Sequence, residues 1–202
     1  MSDDLFPDAP RRSYLEPLKA LIMPSVNAAD LESEQDWEAV EVDLGVSLPE
    51  SYKNVCRFLP GGLLGEQFRW ASPFSKGRYA ELTRVMLEDI YGDWPSFSDV
   101  PLYPAIPGYL VFATTSIRLS FAYRVTLESD GSAKCDPKVF ILDGDVDRLE
   151  ETGLEVDELL YRCITWEPPL EGSLAEHIHE NEFEERMDLP LFRRMRSEDE
   201  DA

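Results

Sequence analysis

The sequence predicts an α+β domain in which N-terminal helices pack on a central, mostly antiparallel sheet and further helices follow. Three observations predict it. Apolar residues recur at helical spacing from about 31 to 59, change to strand-like runs between 109 and 143, and return to helical spacing at 155–164. The strand-like runs are joined by short turns such as SDGS rather than by helices, which favours antiparallel pairing over βαβ units. Gly and Pro punctuate each change of period.

Residues 13–22 (SYLEPLKALI) predict a short helix that ends before Pro24, weakened by Pro17. A second helix is expected over roughly 31–44. Ser33 and Asp36 resemble a capping box, and Trp37, Val40 and Leu44 share one face. Gly45 then stands where a left-handed residue ends a helix. In LGVSLPESYKNVCRFLPGG, residues 44–62, Ser47 and Glu50 form another S-x-x-E box, with Pro49 pre-set for the first turn. Tyr52, Val55, Cys56 and Leu59 recur as a buried stripe, and Pro60 with Gly61-Gly62 ends the element.

Further along, Phe68 and Trp70 alternate in a short strand, and residues 78–90 return to helical spacing through Leu82, Val85, Met86 and Ile90. Residues 91–108 read as a long ordered loop, of a length that often carries function. Strands are expected at 109–115, 118–128 and 138–143. A helix follows at about 155–164, with Val156, Leu159, Leu160 and Cys163 on one face. A highly acidic helix is expected at 172–187 before a disordered tail, SEDEDA. The expected organisation is an N-terminal extension (1–29) with a short helix, a domain over 30–165, and an acidic helical extension and tail over 166–202.

Charge narrows the partners. The chain of 202 residues holds 41 acidic and 19 basic residues, a net charge of −22. Such a surface repels nucleic-acid phosphate and anionic membranes and complements a basic protein. Residues 143–202 concentrate the effect, with 20 acids, 6 Arg and no Lys. Three cysteines without CxxC spacing, an acidic N-terminus and the lack of any long apolar run lead us to expect a cytoplasmic protein without disulfides.

The residues at 44–62 resemble the SUKH superfamily. Leu44-Gly45, Leu48-Pro49, Tyr52, Phe58-Leu59 and Gly61-Gly62 are similar to its pattern of a helix ending in leucine-glycine, a leucine-proline pair, a tyrosine helix and a glycine pair. YLVFATT looks like the family's central strand, KVFILD like its later strand, and EVDELLYRCI like the helix that often follows, so the resemblance covers roughly 30–165. The chain departs from the family at Pro60, where asparagine is common, and at TTSIRLS, where a glycine-aspartate turn is common. The resemblance implies a SUKH-like fold and a non-catalytic binding domain. Family members include immunity proteins that neutralise nuclease or deaminase toxins, and a fungal regulator of cell-wall assembly that acts through protein contacts.

Catalytic and metal chemistry find little support in the residues. In EHIHENEFEE, His177 and His179 would point about 200° apart on a helix, and no H-E-x-x-H motif occurs. A solvated acidic helix is the simpler reading, with a hydrolase built on this Glu/His cluster as its rival. DGDVD at 143–147 spaces carboxylates like the start of an EF-hand loop. Its glycine is second rather than sixth, however, and Leu154 stands where the bidentate Glu belongs. That favours a strand-end turn leading to a capped helix. We therefore expect no enzyme, metal or cofactor. The expected function is a protein-binding module, foremost an immunity protein docking on a toxin's basic active-site surface and alternatively an intracellular regulatory or scaffolding protein. Asp143, Asp145, Asp147, Glu176, Glu180 and Glu184 are the candidates to meet its Lys and Arg.

Overall fold

The computed structural model describes residues 13–23, 36–59, 62–64, 68–73, 101–115, 119–143, 148–165 and 192–193. Among them are four helices, α1 (Leu15–Ile22), α2 (Trp37–Leu44), α3 (Glu50–Cys56) and α4 (Val156–Thr165). Seven strands form one sheet: β1 (Gly62–Leu64), β2 (Phe68–Trp70), β3 (Gly108–Thr115), β4 (Leu119–Leu127), β5 (Ala133–Asp143), β6 (Arg148–Glu151) and β7 (Phe192–Arg193). Their order across the sheet is β6-β5-β4-β3-β2-β1-β7, and each neighbouring pair is antiparallel. The α+β expectation therefore holds. The expected helix at 78–90, the loop residues 91–100, the acidic helix at 172–187 and the tail lie outside the described residues.

The helices cover one face of the sheet. Tyr52, Val55, Cys56 and Leu59, the stripe expected on α3, are all buried. Tyr52 anchors the layer. Its ring lies 5.3 Å from that of Trp70, 5.7 Å from Phe112 and 5.8 Å from Tyr123, and its hydroxyl donates to the Ala71 carbonyl at 2.8 Å. Phe112 and Tyr123 stack at 4.5 Å, so aromatic faces from α3, β2, β3 and β4 fill one cluster. On α2, Leu44 is buried while Trp37 and Val40 pack against the same core. From α1, Leu18 and Ile22 join that core, and Tyr14 packs on Tyr161 of α4 with ring centres 5.4 Å apart. Segment 13–23 is thus part of the packed domain.

The opposite face buries a smaller cluster, Val111, Ala122 and Leu142, with Leu102, Tyr109 and Leu149 packed beside it. Two bulges bend the sheet. One falls between Val111 and Ala113, so that both Phe112 and Ala113 enter the helix-side core. The other lies opposite Tyr123–Val125, which pair with Val139 and Cys135 of β5. Pro137, within that bulge, has no N–H to give a ladder, and the Asp136 carboxylate instead accepts from the Lys138 N–H at 2.9 Å.

Local chemistry corrects several expectations. The described start of α2 is Asp36, whose carboxylate accepts from the Ala39 N–H at 3.0 Å, so Asp36 is the cap rather than the third residue of a box begun at Ser33. Gly45 does adopt the left-handed conformation, with φ 70°. The Ser47–Glu50 box does not form. Ser47 bridges β5 through its backbone, its N–H donating to the Ala133 carbonyl and its carbonyl accepting from Cys135. Pro49 is extended and immediately precedes α3, so it caps the helix instead of occupying its first turn. The turn after DGDVD leads not to a helix but to β6, with Asp143 paired to Arg148. β5 begins at Ala133 rather than Lys138, and β1, β6 and β7 were not anticipated.

Candidate interaction surface

Of the six acidic candidates, the structure places Asp143 at the end of β5, where its backbone pairs with both Leu119 and Arg148. Asp145, Asp147, Glu176, Glu180 and Glu184 lie outside the described residues, as do His177 and His179. The described residues carry 15 acidic and 10 basic side chains, a net of −5 out of the chain's −22. Most of the acidity thus belongs to segments other than the described helices and strands.

Within the packed domain the ionisable groups are tied into structure. The Lys53 ammonium sits 2.8 Å from Glu41 and 3.1 Å from Glu50. Burial opposes its charge, but the two carboxylates outweigh burial and hold Lys53 above the ordinary lysine value. Glu41 also accepts from the Leu48 N–H at 2.7 Å, so the same carboxylate fixes the turn between α2 and α3. On α4, Arg162 pairs with Glu158 one turn earlier, its Nε 3.0 Å from the carboxylate, and lies over the Tyr14 ring at 5.9 Å. Burial raises the pKa of Asp157, in the first turn of α4, and neighbouring Glu155 and Glu158 add to it.

The three thiols are poor nucleophiles. Burial pushes Cys56, Cys135 and Cys163 up to about 12, so the thiolate is scarce at neutral pH. Among the described residues no group of three or more His, Cys, Asp or Glu side chains is placed to hold a metal ion. Nor is any described helix long and apolar enough to cross a membrane.

One end of the sheet gathers a different set of side chains. The 101–107 loop folds back on β3, with the Tyr109 N–H donating to the Pro101 carbonyl at 2.9 Å and the Tyr103 N–H to the Tyr109 carbonyl at 3.0 Å. Gly108 permits this, because a Cβ there would collide with the Ala105 carbonyl. Leu102 packs on the smaller cluster and Tyr103 on the larger, so the loop straddles the sheet edge. The Tyr103 hydroxyl donates to the Leu44 carbonyl and ties the loop to the end of α2. Ser47 ties the same end of α2 to the β4–β5 hairpin through its bridge to Lys134. Here Val42 and Leu127 are 77% and 60% exposed, and Ile106 is also exposed. Sequence reasoning passed over all three. The only signal was Val42 lying off the Trp37–Val40–Leu44 stripe and Ile106 lying in a loop already marked as long.

No protein-family model matches the chain, and comparisons with curated proteins and with solved structures give no match either.

Proposed function

We propose that the chain is a non-catalytic protein-binding module, SUKH-like in kind, and that it acts as an immunity protein by docking on the basic active-site surface of a toxin. The observation that carries this reading is the distribution of charge. A packed domain with a net of −5 is joined to segments that hold the remainder of −22, concentrated after residue 143. A nuclease or deaminase needs positive charge to hold phosphate, and an acidic chain that occupies that surface excludes the substrate. In this account Asp143, Asp145, Asp147, Glu176, Glu180 and Glu184 steer the encounter. The motif at 44–62 supports the same reading, since its glycine, proline and tyrosine positions each carry the packing role that the resemblance implies.

The test is growth rescue. An immunity gene is expected beside its toxin gene, so the C-terminal domain encoded by the neighbouring gene is expressed alone and together with this chain. The toxin domain should arrest growth, and co-expression should restore it through a complex that co-purifies. A neighbouring product without toxicity, or toxicity that this chain does not relieve, would overturn the immunity reading.

A further inference from the structure

Among the described residues, four large apolar side chains stand out as exposed: Leu21, Val42, Ile106 and Leu127. Three of them meet at one end of the sheet. Gly108 pairs with Val125, so Ile106 and Leu127 lie two residues further out on adjoining strands, at the same edge. Leu127 pairs in turn with Ala133, next to Lys134, which Ser47 bridges. Val42 lies in the last turn of α2, two residues before the Leu44 carbonyl that receives the Tyr103 hydroxyl. Scattered exposed apolar residues need no explanation, but three brought together by three separate elements do. Around them stand the exposed acids Asp43, Glu128 and Asp130, with Lys134 among them. Hydrogen bonds from the backbone and side chain of Ser132 hold the Asp130 carboxyl below the usual carboxylate range.

We propose that this end of the sheet is the apolar anchor of a docking surface for a basic protein segment. The segment seats an apolar side chain against Val42, Ile106 and Leu127 and sets flanking Lys or Arg against Asp43, Glu128 and Asp130. The assignment rests on the reading of the chain as a binder of basic proteins and locates part of that binding on the packed domain. An apolar centre inside a polar rim is the arrangement in which a few side chains carry most of an interface's affinity. The acidic rim selects the occupant. A second copy of this chain would bring a further −22 to the contact, whereas a basic segment meets opposite charge. The anchor is also rigid before binding, because Tyr103, Ser47 and the Gly108 turn fix the three elements to one another, and a preformed surface loses little entropy on association.

The test uses the full chain as bait for a phage-displayed library of random peptides. Selected peptides are then titrated against the wild type, Val42→Ser/Leu127→Ser and Asp43→Lys/Glu128→Lys by fluorescence polarisation. The selected sequences should carry an apolar residue flanked by Lys or Arg. Both double variants should bind them about tenfold more weakly or worse, with melting temperatures unchanged. Peptides without basic residues, affinities that neither variant changes, or a selection that enriches nothing would overturn the proposal. So would a wild-type dimer in light scattering that Val42→Ser/Leu127→Ser dissociates, since a second copy would then be the occupant. The growth assay separates the two claims. Rescue by wild type and by both variants alike leaves the immunity reading standing and removes the anchor, whereas peptide binding lost in the variants without any rescue does the reverse.

Discussion

The helix-covered face of the sheet and its α2–loop–hairpin end are built from similar residue types with opposite outcomes. On the covered face, Tyr52, Trp70, Phe112 and Tyr123 are buried nearly completely, and the Tyr52 hydroxyl donates to the Ala71 carbonyl. At the sheet end, Val42 and Leu127 remain in water although a buried side chain, Leu44, lies within two residues of Val42. The contrast separates the residues that hold the fold from those free to make contacts. Substitutions on the covered face should therefore act on stability, and substitutions at the sheet end should act on binding.

The sharpest way to break this separation is Tyr52→Ala. It removes an aromatic ring from the centre of the cluster and should cost about 3–5 kcal/mol in chemical denaturation, with Leu59→Ala close behind at about 2–5 kcal/mol. A wild-type midpoint in either variant would mean that the stripe on α3 is not core. Next comes Gly108→Ala, which forces the 101–107 loop away from the Ala105 carbonyl and should cost about 1–3 kcal/mol, the scale of overpacking. Because this variant disturbs the seat of Ile106, it is expected to weaken both stability and peptide binding, the one position where the two regions overlap. An Ala variant as stable as wild type would show that the turn relaxes freely.

A smaller effect is expected from Asp157→Asn. Burial raises the folded-state pKa of Asp157 above its unfolded value, so folding favours the protonated acid. The stability it contributes is complete below the ordinary carboxylate pKa and is lost as pH rises through the raised value. Asp157→Asn should therefore melt higher than wild type at neutral pH, with the difference shrinking as pH falls below the ordinary carboxylate range. A variant that melts lower at neutral pH would mean that the carboxylate's hydrogen bonds to the start of α4 outweigh its burial.

How much of this was legible in the sequence differs along the chain. The stripe on α3, the Gly45 stop, the short strand at Phe68–Trp70 and the helix at 156–165 follow from periodicity, because each buries one face against the same core. The start of β5 was hidden by Pro137, which ends most strands but here occupies a bulge that Asp136 closes. β6, with the sequence RLEE, carries one apolar residue in four and is held by its pairing to β5, a long-range contact that local pattern does not encode. Ser47 offered a cap in sequence but supplies backbone to β5, since a bridge to a neighbouring strand satisfies the same groups. The acidic candidates were chosen for charge density, and only Asp143 falls within the described residues. The exposed sheet end was not legible, because Val42, Ile106 and Leu127 are far apart in the chain and converge only through Tyr103 and Ser47.

The central claim is that an acidic chain steers itself onto a basic partner, and the association rate tests it most directly. Stopped-flow binding to the toxin domain encoded by the neighbouring gene is followed from low to high salt, for the wild type and for a Glu176→Lys/Glu180→Lys/Glu184→Lys variant. Attraction between exposed charges fades beyond about 8 Å at physiological salt, so the wild-type on-rate should fall steeply as salt rises while the off-rate changes less. The charge-reversed variant should fold normally and associate more slowly at low salt, converging on the wild type at high salt. An on-rate that is flat with salt and indifferent to the reversal would contradict the claim and leave the acidic segments as solubilising groups alone.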